Sequence, residues 1–218
     1  MSRLTPAFVI LLLAAAGGAC RTVQVARSPQ IVQPGAPGQS TRVISAEKAT
    51  DLSRVQFTDA DVRFMQGMIG HHAQALEMAA LLSERTRRDD MRLLAKRIDV
   101  SQADEIQMMQ RWLETRGQQV PGPHAHHAPG APLMPGMLTA EELSRLADAR
   151  ADAFDRLFLE LMIKHHEGAL TMVKELYSSA GAGQESEIYA FASDVDADQR
   201  MEIDRMRGML MTSKELEK

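Results

Sequence analysis

Cysteine is nearly absent from this 218-residue chain, with one (Cys20) against 15 methionines. A lone thiol closes no intrachain disulfide and forms no thiolate cluster, so neither a covalent staple nor a Cys-based metal site holds the fold. Aromatics are only 4% of residues, so Leu, Ala and Met must fill the core. No segment alternates apolar and polar residues over a strand's length, and strands are not expected. The apolar run near the N-terminus stops well short of the roughly 20 residues a membrane-spanning helix needs. The formal net charge is −4 with no basic block, which argues against nucleic acid or anionic lipid headgroups as partners. Catalytic equipment is missing too. The sequence has no Glu-x-x-His of a carboxylate-bridged di-iron centre, no His-Glu-x-x-His, no haem-attachment motif, no glycine-rich phosphate loop, and no recognisable Ser-His-Asp or Cys-His arrangement. An enzyme is not expected, and neither haem nor nucleotide.

What is present begins with an export signal. Arg3, the apolar stretch from Ala7 to Ala16 and the small residues Gly17-Gly18-Ala19 lead to Cys20, the position of the lipidated thiol in a bacterial lipoprotein signal. Residues 1–20 therefore read as a lipoprotein-type signal; a plain secretory signal cut after Ala16 or Ala19 is the alternative. Residues 21–56, rich in Pro, Gly, Ser and Gln, read as a flexible tether. The expected location is the cell envelope, on the periplasmic side, held to the membrane by the lipid anchor alone. Arg21 after the thiol, rather than Asp, resembles sorting to the outer membrane in double-membraned cells.

From residue 57 the chain repeats itself. Asp61-x2-Phe64-x3-Met68-x2-His71-His72-x2-Ala75-Leu76-x-Met78 returns 94 positions later, from Asp155 through Phe158, Met162, His165-His166 and Ala169-Leu170 to Met172. A second pattern, Ala95-x2-Ile98-x3-Gln102-x2-Glu105-Ile106-x2-Met109, recurs from Ala192 through Gln199 and Glu202 to Met206. Helical periodicity and start signals place helices at about 59–84, 89–116, 151–179 and 185–211, with a short one from Thr139; Thr58 with Asp61, and Asp89, are the expected caps. Neither hairpin can bury its own apolar stripe, so the two should dock as an all-α four-helix bundle. The domain spans 57–211, with hairpins at 57–117 and 138–211, a His/Pro/Gly linker at 118–137 and a tail at 212–218.

At about 100° per residue, Asp61, Met65, Met68, His72 and Ala75 share one helix face, flanked by His71 and Met78. The second copy places Met162 and His166 inward and His165 and Met172 on the flank, with Leu159 where the first copy has Met65. Methionine alone is ordinary core filler. Two His-His pairs in register are not, because an unpartnered buried imidazole costs roughly 1–3 kcal/mol. Two readings stay open: a duplicated metal site, or a structural histidine–carboxylate network. Asp61, Glu105, Asp155 and Glu202 are the acidic candidates to orient or pair with the rings. Imidazole with thioether and no thiolate favours copper, Cu(I) especially, whereas an all-His–carboxylate set fits zinc or iron. In the linker, His124, His126, His127, Met134 and Met137 form a candidate accessory capture tract, for which a plain soluble linker is the other reading.

At these residues the chain resembles the bacterial domain of unknown function 305 family. Its hallmarks stand here as Asp61-x2-Phe64-x3-Met68-x2-His71-His72, as Met137-Leu138-Thr139-Ala140-Glu141-Glu142, and as Phe158-Leu159-Glu160-Leu161-Met162-Ile163-Lys164-His165-His166-Glu167-Gly168-Ala169. The resemblance covers about 57–211. It implies a ferritin-like four-helix domain, exported or periplasmic, in a family that includes copper-binding proteins. Carried over position by position, it implies Met68, His71, His72, Met78, Met162, His165, His166 and Met172 as metal ligands. The expected function is copper sequestration or relay; the alternative is a structural or interaction domain without metal.

Overall fold

The computed structural model describes residues 30–33, 40–51, 55–122, 125 and 133–216, the last four by backbone alone. The chain divides between Asp51 and Leu52 into two units. In the first, strand β1 (Ile31–Gln33) pairs antiparallel with β2 (Arg42–Ile44), matching Ile31 with Ile44 and Val32 with Val43. Helix α1 (Ala46–Thr50) follows, capped by the Ser45 side chain. The tether read from composition thus carries two strands where none was expected. β-branched residues on both sides favour the pairing, and three residues are too few for alternation to reveal it.

The second unit is helical, as the periodicity predicts. Its elements are α2 (Asp59–Ala80), α3 (Leu82–Arg85), α4 (Asp89–Thr115), α5 (Ala140–Asp148), α6 (Ala151–Ser178) and α7 (Ser186–Leu216). Thr58 and Asp61 close a full capping box on α2, and Thr139 and Glu142 close another on α5. At α4 the cap differs from expectation. Arg88 is the N-cap and its side chain makes no capping bond, bonding Asp90 instead, while Asp89 and Asp90 lie in the first turn, where carboxylates favour the positive end of the helix dipole. The first long helix breaks at Leu81, and the last runs on to Leu216 through most of the expected tail. Among the described residues no helix is long and apolar enough to cross a membrane.

Helix α2 packs along α4, α6 along α7, and α2 crosses α6. The buried apolar residues sort into two clusters. One joins the start of α2 and the end of α4 to the end of α6 and the start of α7, from Phe64, Met68 and Trp112 to Met172 and Phe191. The other joins the complementary halves, from Met78, Leu94 and Ile98 to Phe158, Met162 and Met206. Each cluster therefore draws comparable numbers of residues from both copies of the repeat, as expected of two hairpins related by an approximate two-fold passing between α2 and α6. Burying a side chain of Met size contributes roughly 1.5–3 kcal/mol. Met65, Met68, Met78, Met91, Met109, Met162 and Met206 are all fully enclosed, so methionine supplies much of the cohesion that aromatics do not.

Candidate metal centre

The four motif histidines lie on α2 and α6 between the stretches of those helices that feed the two apolar clusters. His71, His72, His165 and His166 are each no more than 1% exposed. At the crossing of α2 and α6, the rings of His71 and His165 stack with centroids 3.8 Å apart and planes 37° apart. Within each pair the rings stand 6.2 Å apart at 56°, identical in both copies. His72 and His166 turn outward to the partner helices. His72 Nε2 lies 2.5 Å from Glu105 Oε2, and His166 Nε2 lies 2.6 Å from Glu202 Oε2.

The connector before α5 covers this crossing. His71 Nε2 donates to the Pro135 carbonyl at 3.1 Å. Gln74 clasps the backbone of Leu138 at both ends, accepting from its N–H at 2.7 Å and donating to its carbonyl at 3.0 Å. Gly136 takes φ +77°, and Gly168 of α6 lies so close beneath that any Cβ there would run into Pro135. Gln74 and Gly168 occupy equivalent positions in the two copies. The repeat is broken there because only one connector exists for both helices to hold.

Hydrogen bonding fixes which nitrogen each ring leaves free. His71, His72 and His166 are all anchored through Nε2, and the Nδ1 of each has no partner. Neither nitrogen of His165 makes a well-formed hydrogen bond, although the His71 backbone lies close enough to oppose the effect of burial on the ring. A carboxylate or carbonyl on one nitrogen with the other open is how metal-binding histidines are oriented. Burial, reinforced by the neighbouring His72 ring, lowers the pKa of His71 to about 3. Burial and then His71 push His165 well below the usual imidazole range. Both rings are therefore neutral at physiological pH, the state a metal ligand requires.

The sequence-predicted ligands are regrouped rather than duplicated. Met68 and Met172 belong to one apolar cluster, Met78 and Met162 to the other, so each flank of the histidine belt draws one methionine from each copy. The two copies of the motif meet at one crossing, where His71 of the first faces His165 of the second. Of the acidic candidates, Glu105 and Glu202 meet histidines, and Asp61 and Asp155 do not. Asp61 accepts from the Thr58 N–H at 2.7 Å and from the Gly183 N–H at 2.7 Å, tying α2 to the α6–α7 turn. Asp155 lies among Thr86, Arg88 and Asp152 near the other turn, its carboxyl pushed up chiefly by burial. Two buried amides beside the glutamates, Gln102 and Gln199, also leave Oε1 without a partner.

Among the described residues no three His, Cys, Asp or Glu side chains gather closely enough to hold an ion. Imidazole and thioether, the two donor types that the motif brings into the interior on α2 and α6, fit a soft ion better than zinc or iron. Met134 and Met137 of the accessory tract lie in the connector, Met134 half-buried and Met137 buried. Cys20, His124, His126 and His127 lie outside the described residues. Gln74, Pro135 and Gly67, a glycine of α2 beneath Met134, carry no metal-ligating chemistry, and only the mismatches between copies, Gln74 with Gly168 and Gly67 with Leu161, mark two of them in the sequence.

The profile of the DUF305 family, a domain of unknown function, matches residues 61–210. A DUF305 fragment from Deinococcus radiodurans is 33% identical with a TM-score of 0.60, covering 72% of this chain and 98% of its own. A candidate secreted DUF305 protein from Streptomyces coelicolor is 30% identical with a TM-score of 0.60, covering 71% and 94%. CopM in its Cu(I)-bound form is 25% identical with a TM-score of 0.55, covering 72% and 98%. CopM has also been solved in Cu(II)-bound and Ag-bound forms. Among curated proteins none matches.

Proposed function

The chain belongs to the DUF305 family, and on that footing we propose that it is an exported, non-enzymatic metal-binding protein whose central histidines hold copper, Cu(I) in particular, for sequestration or relay in the cell envelope. One observation carries the proposal. Three buried rings are anchored through Nε2 with Nδ1 open, and His165 faces His71 with both nitrogens open. Leaving a buried polar atom unsatisfied costs about 1–3 kcal/mol, a cost that a purely structural imidazole network avoids by pairing. Neutral imidazoles flanked by Met68 and Met172 on one side and Met78 and Met162 on the other form a soft donor set for Cu(I). The similarity to CopM supports a metal of this class. The N-terminal signal and the likeness to a candidate secreted protein support export, and Cys20 is the proposed point of lipid attachment.

A structural role has its own support at His72 and His166, whose Nε2 atoms pair with glutamates. Both readings are tested by measuring the metal content of the mature protein taken from its envelope, then titrating it with Cu(I) anaerobically against a chelator. Tight binding lost in the His71→Leu/His165→Leu variant, with helicity kept, is expected. Absence of Cu(I) binding by the wild-type protein would leave only the structural role.

A further inference from the structure

The four rings are sealed from solvent, so an ion needs a way in, and the two-fold is broken at one place that offers it. Between the first half of α2, the second half of α6 and the connector lies a cleft of about 530 Å³, lined among others by Gly67, Gly70, Met134, Pro135, Met137 and Met172. Over Gly67 the helix backbone is bare. The Met134 sulfur and the Met172 methyl each lie 3.4 Å from the point where a side chain at position 67 would begin. The ends of two flexible methionine side chains thus meet over one spot beside open space. The second copy has Leu161 at the equivalent position, packed into the other apolar cluster, and Met78, the counterpart of Met172, is fully enclosed there. Among the described residues the equivalent position in the second copy is therefore filled rather than open.

The cleft lies next to the buried histidines, although none of their rings lines it. Gly70 on its wall precedes His71, and Pro135, whose carbonyl accepts from His71 Nε2, lines it too. Its rim carries Arg63 and Glu175, of opposite charge, and its polar groups are few beside the thioethers and apolar side chains. A hard cation finds no cluster of oxygens there, whereas thioethers select soft monovalent ions.

We propose that this cleft is an exchange site for a soft monovalent ion, Cu(I) or Ag(I), held by the thioethers of Met134 and Met172 on its way to or from the buried histidines. The assignment rests on the reading of the histidine centre as a copper site, and it makes the protein a relay with a defined access route. Two thioethers bind more weakly than a centre that adds imidazoles, which suits transient occupancy. Met134 is the discriminating residue, since it belongs to the connector and not to the repeated motif.

The test uses the mature protein with methyl-¹³C methionine and Ag(I) as the probe. In the His71→Leu/His165→Leu variant, which lacks the centre, Ag(I) is expected to shift the Met134 and Met172 methyl resonances. Unshifted resonances in that variant overturn the exchange site, whatever the wild type binds. In the second arm a chromophoric chelator withdraws Cu(I) from loaded protein. Met134→Leu and Gly67→Leu are each expected to slow withdrawal at least ten-fold while leaving the final stoichiometry at the centre unchanged. Equal rates in wild type and both variants refute the route and leave the copper centre standing, whereas a wild type that never loads refutes the centre itself.

Discussion

His71 and His165, the same residue of two copies of one motif, meet ring to ring at 3.8 Å in the middle of the bundle. No salt bridge or hydrogen bond between the rings justifies that approach, and each presents at least one open nitrogen to it. Unpaired buried nitrogens carry a cost in the metal-free protein, and under the proposed function a bound ion would offset it.

Replacing His165 with Leu should therefore stabilise the metal-free protein by about 1 kcal/mol, because an unsatisfied buried ring gives way to an apolar side chain of similar size. The same variant should bind Cu(I) far more weakly than wild type. Thermal melts and chelator competition measure the two effects, and a variant that loses stability would mean the ring has a hidden partner.

Truncation of Glu202 should act in the opposite direction. Glu202→Ala leaves His166 Nε2 without its acceptor at a site where the glutamate side chain is only 9% exposed. A loss of about 1–3 kcal/mol is expected by chemical denaturation. Glu105→Ala, at an 18% exposed side chain, should cost less because water can replace part of the lost bond.

Acid should weaken the metal-free fold earlier than its carboxylates alone dictate. The folded His71 has a pKa of about 3 against 6.5 in an unfolded chain, so below pH 6.5 the unfolded state takes up a proton that the folded state refuses. Stability then rises with pH between about 3 and 6.5 and levels off above, and His165 adds to the slope in the same direction. Urea titrations from pH 4 to 8 should show this slope, reduced in His165→Leu; a flat profile above pH 5 would contradict neutral buried rings.

Gly168→Ala should loosen the connector. Its Cβ would run into the Pro135 carbonyl, the group that accepts from His71, with no flexible side chain to give way. About 3 kcal/mol of destabilisation is expected, together with faster proteolytic cleavage within 133–139. Unchanged cleavage would show that the strap tolerates displacement.

Cys20→Ser should release the protein from the membrane fraction or leave its signal uncut. Unchanged fractionation and processing would point to the plain secretory signal instead.

The sequence alone determined the helices, because each rests on local chemistry: the capping boxes at Thr58–Asp61 and Thr139–Glu142, the helical spacing of buried residues, and Gly117 with φ +64° just past the end of α4. It also determined that two like hairpins pack together and which histidines and methionines face inward. It did not determine how the two copies of the motif meet, since periodicity places a residue on a face without saying which face of which helix lies opposite. Only the antiparallel crossing of α2 and α6 put His71 against His165 and sorted Met68 with Met172. Tertiary structure likewise divided the acids. Asp61 and Glu105 both looked able to reach a ring, but the reach of Gly183 from the far hairpin took Asp61 for a turn and left Glu105 for His72. The open cleft was beyond the sequence for the same reason: Gly67 gains meaning only when a connector methionine and a methionine from the other copy arrive over it.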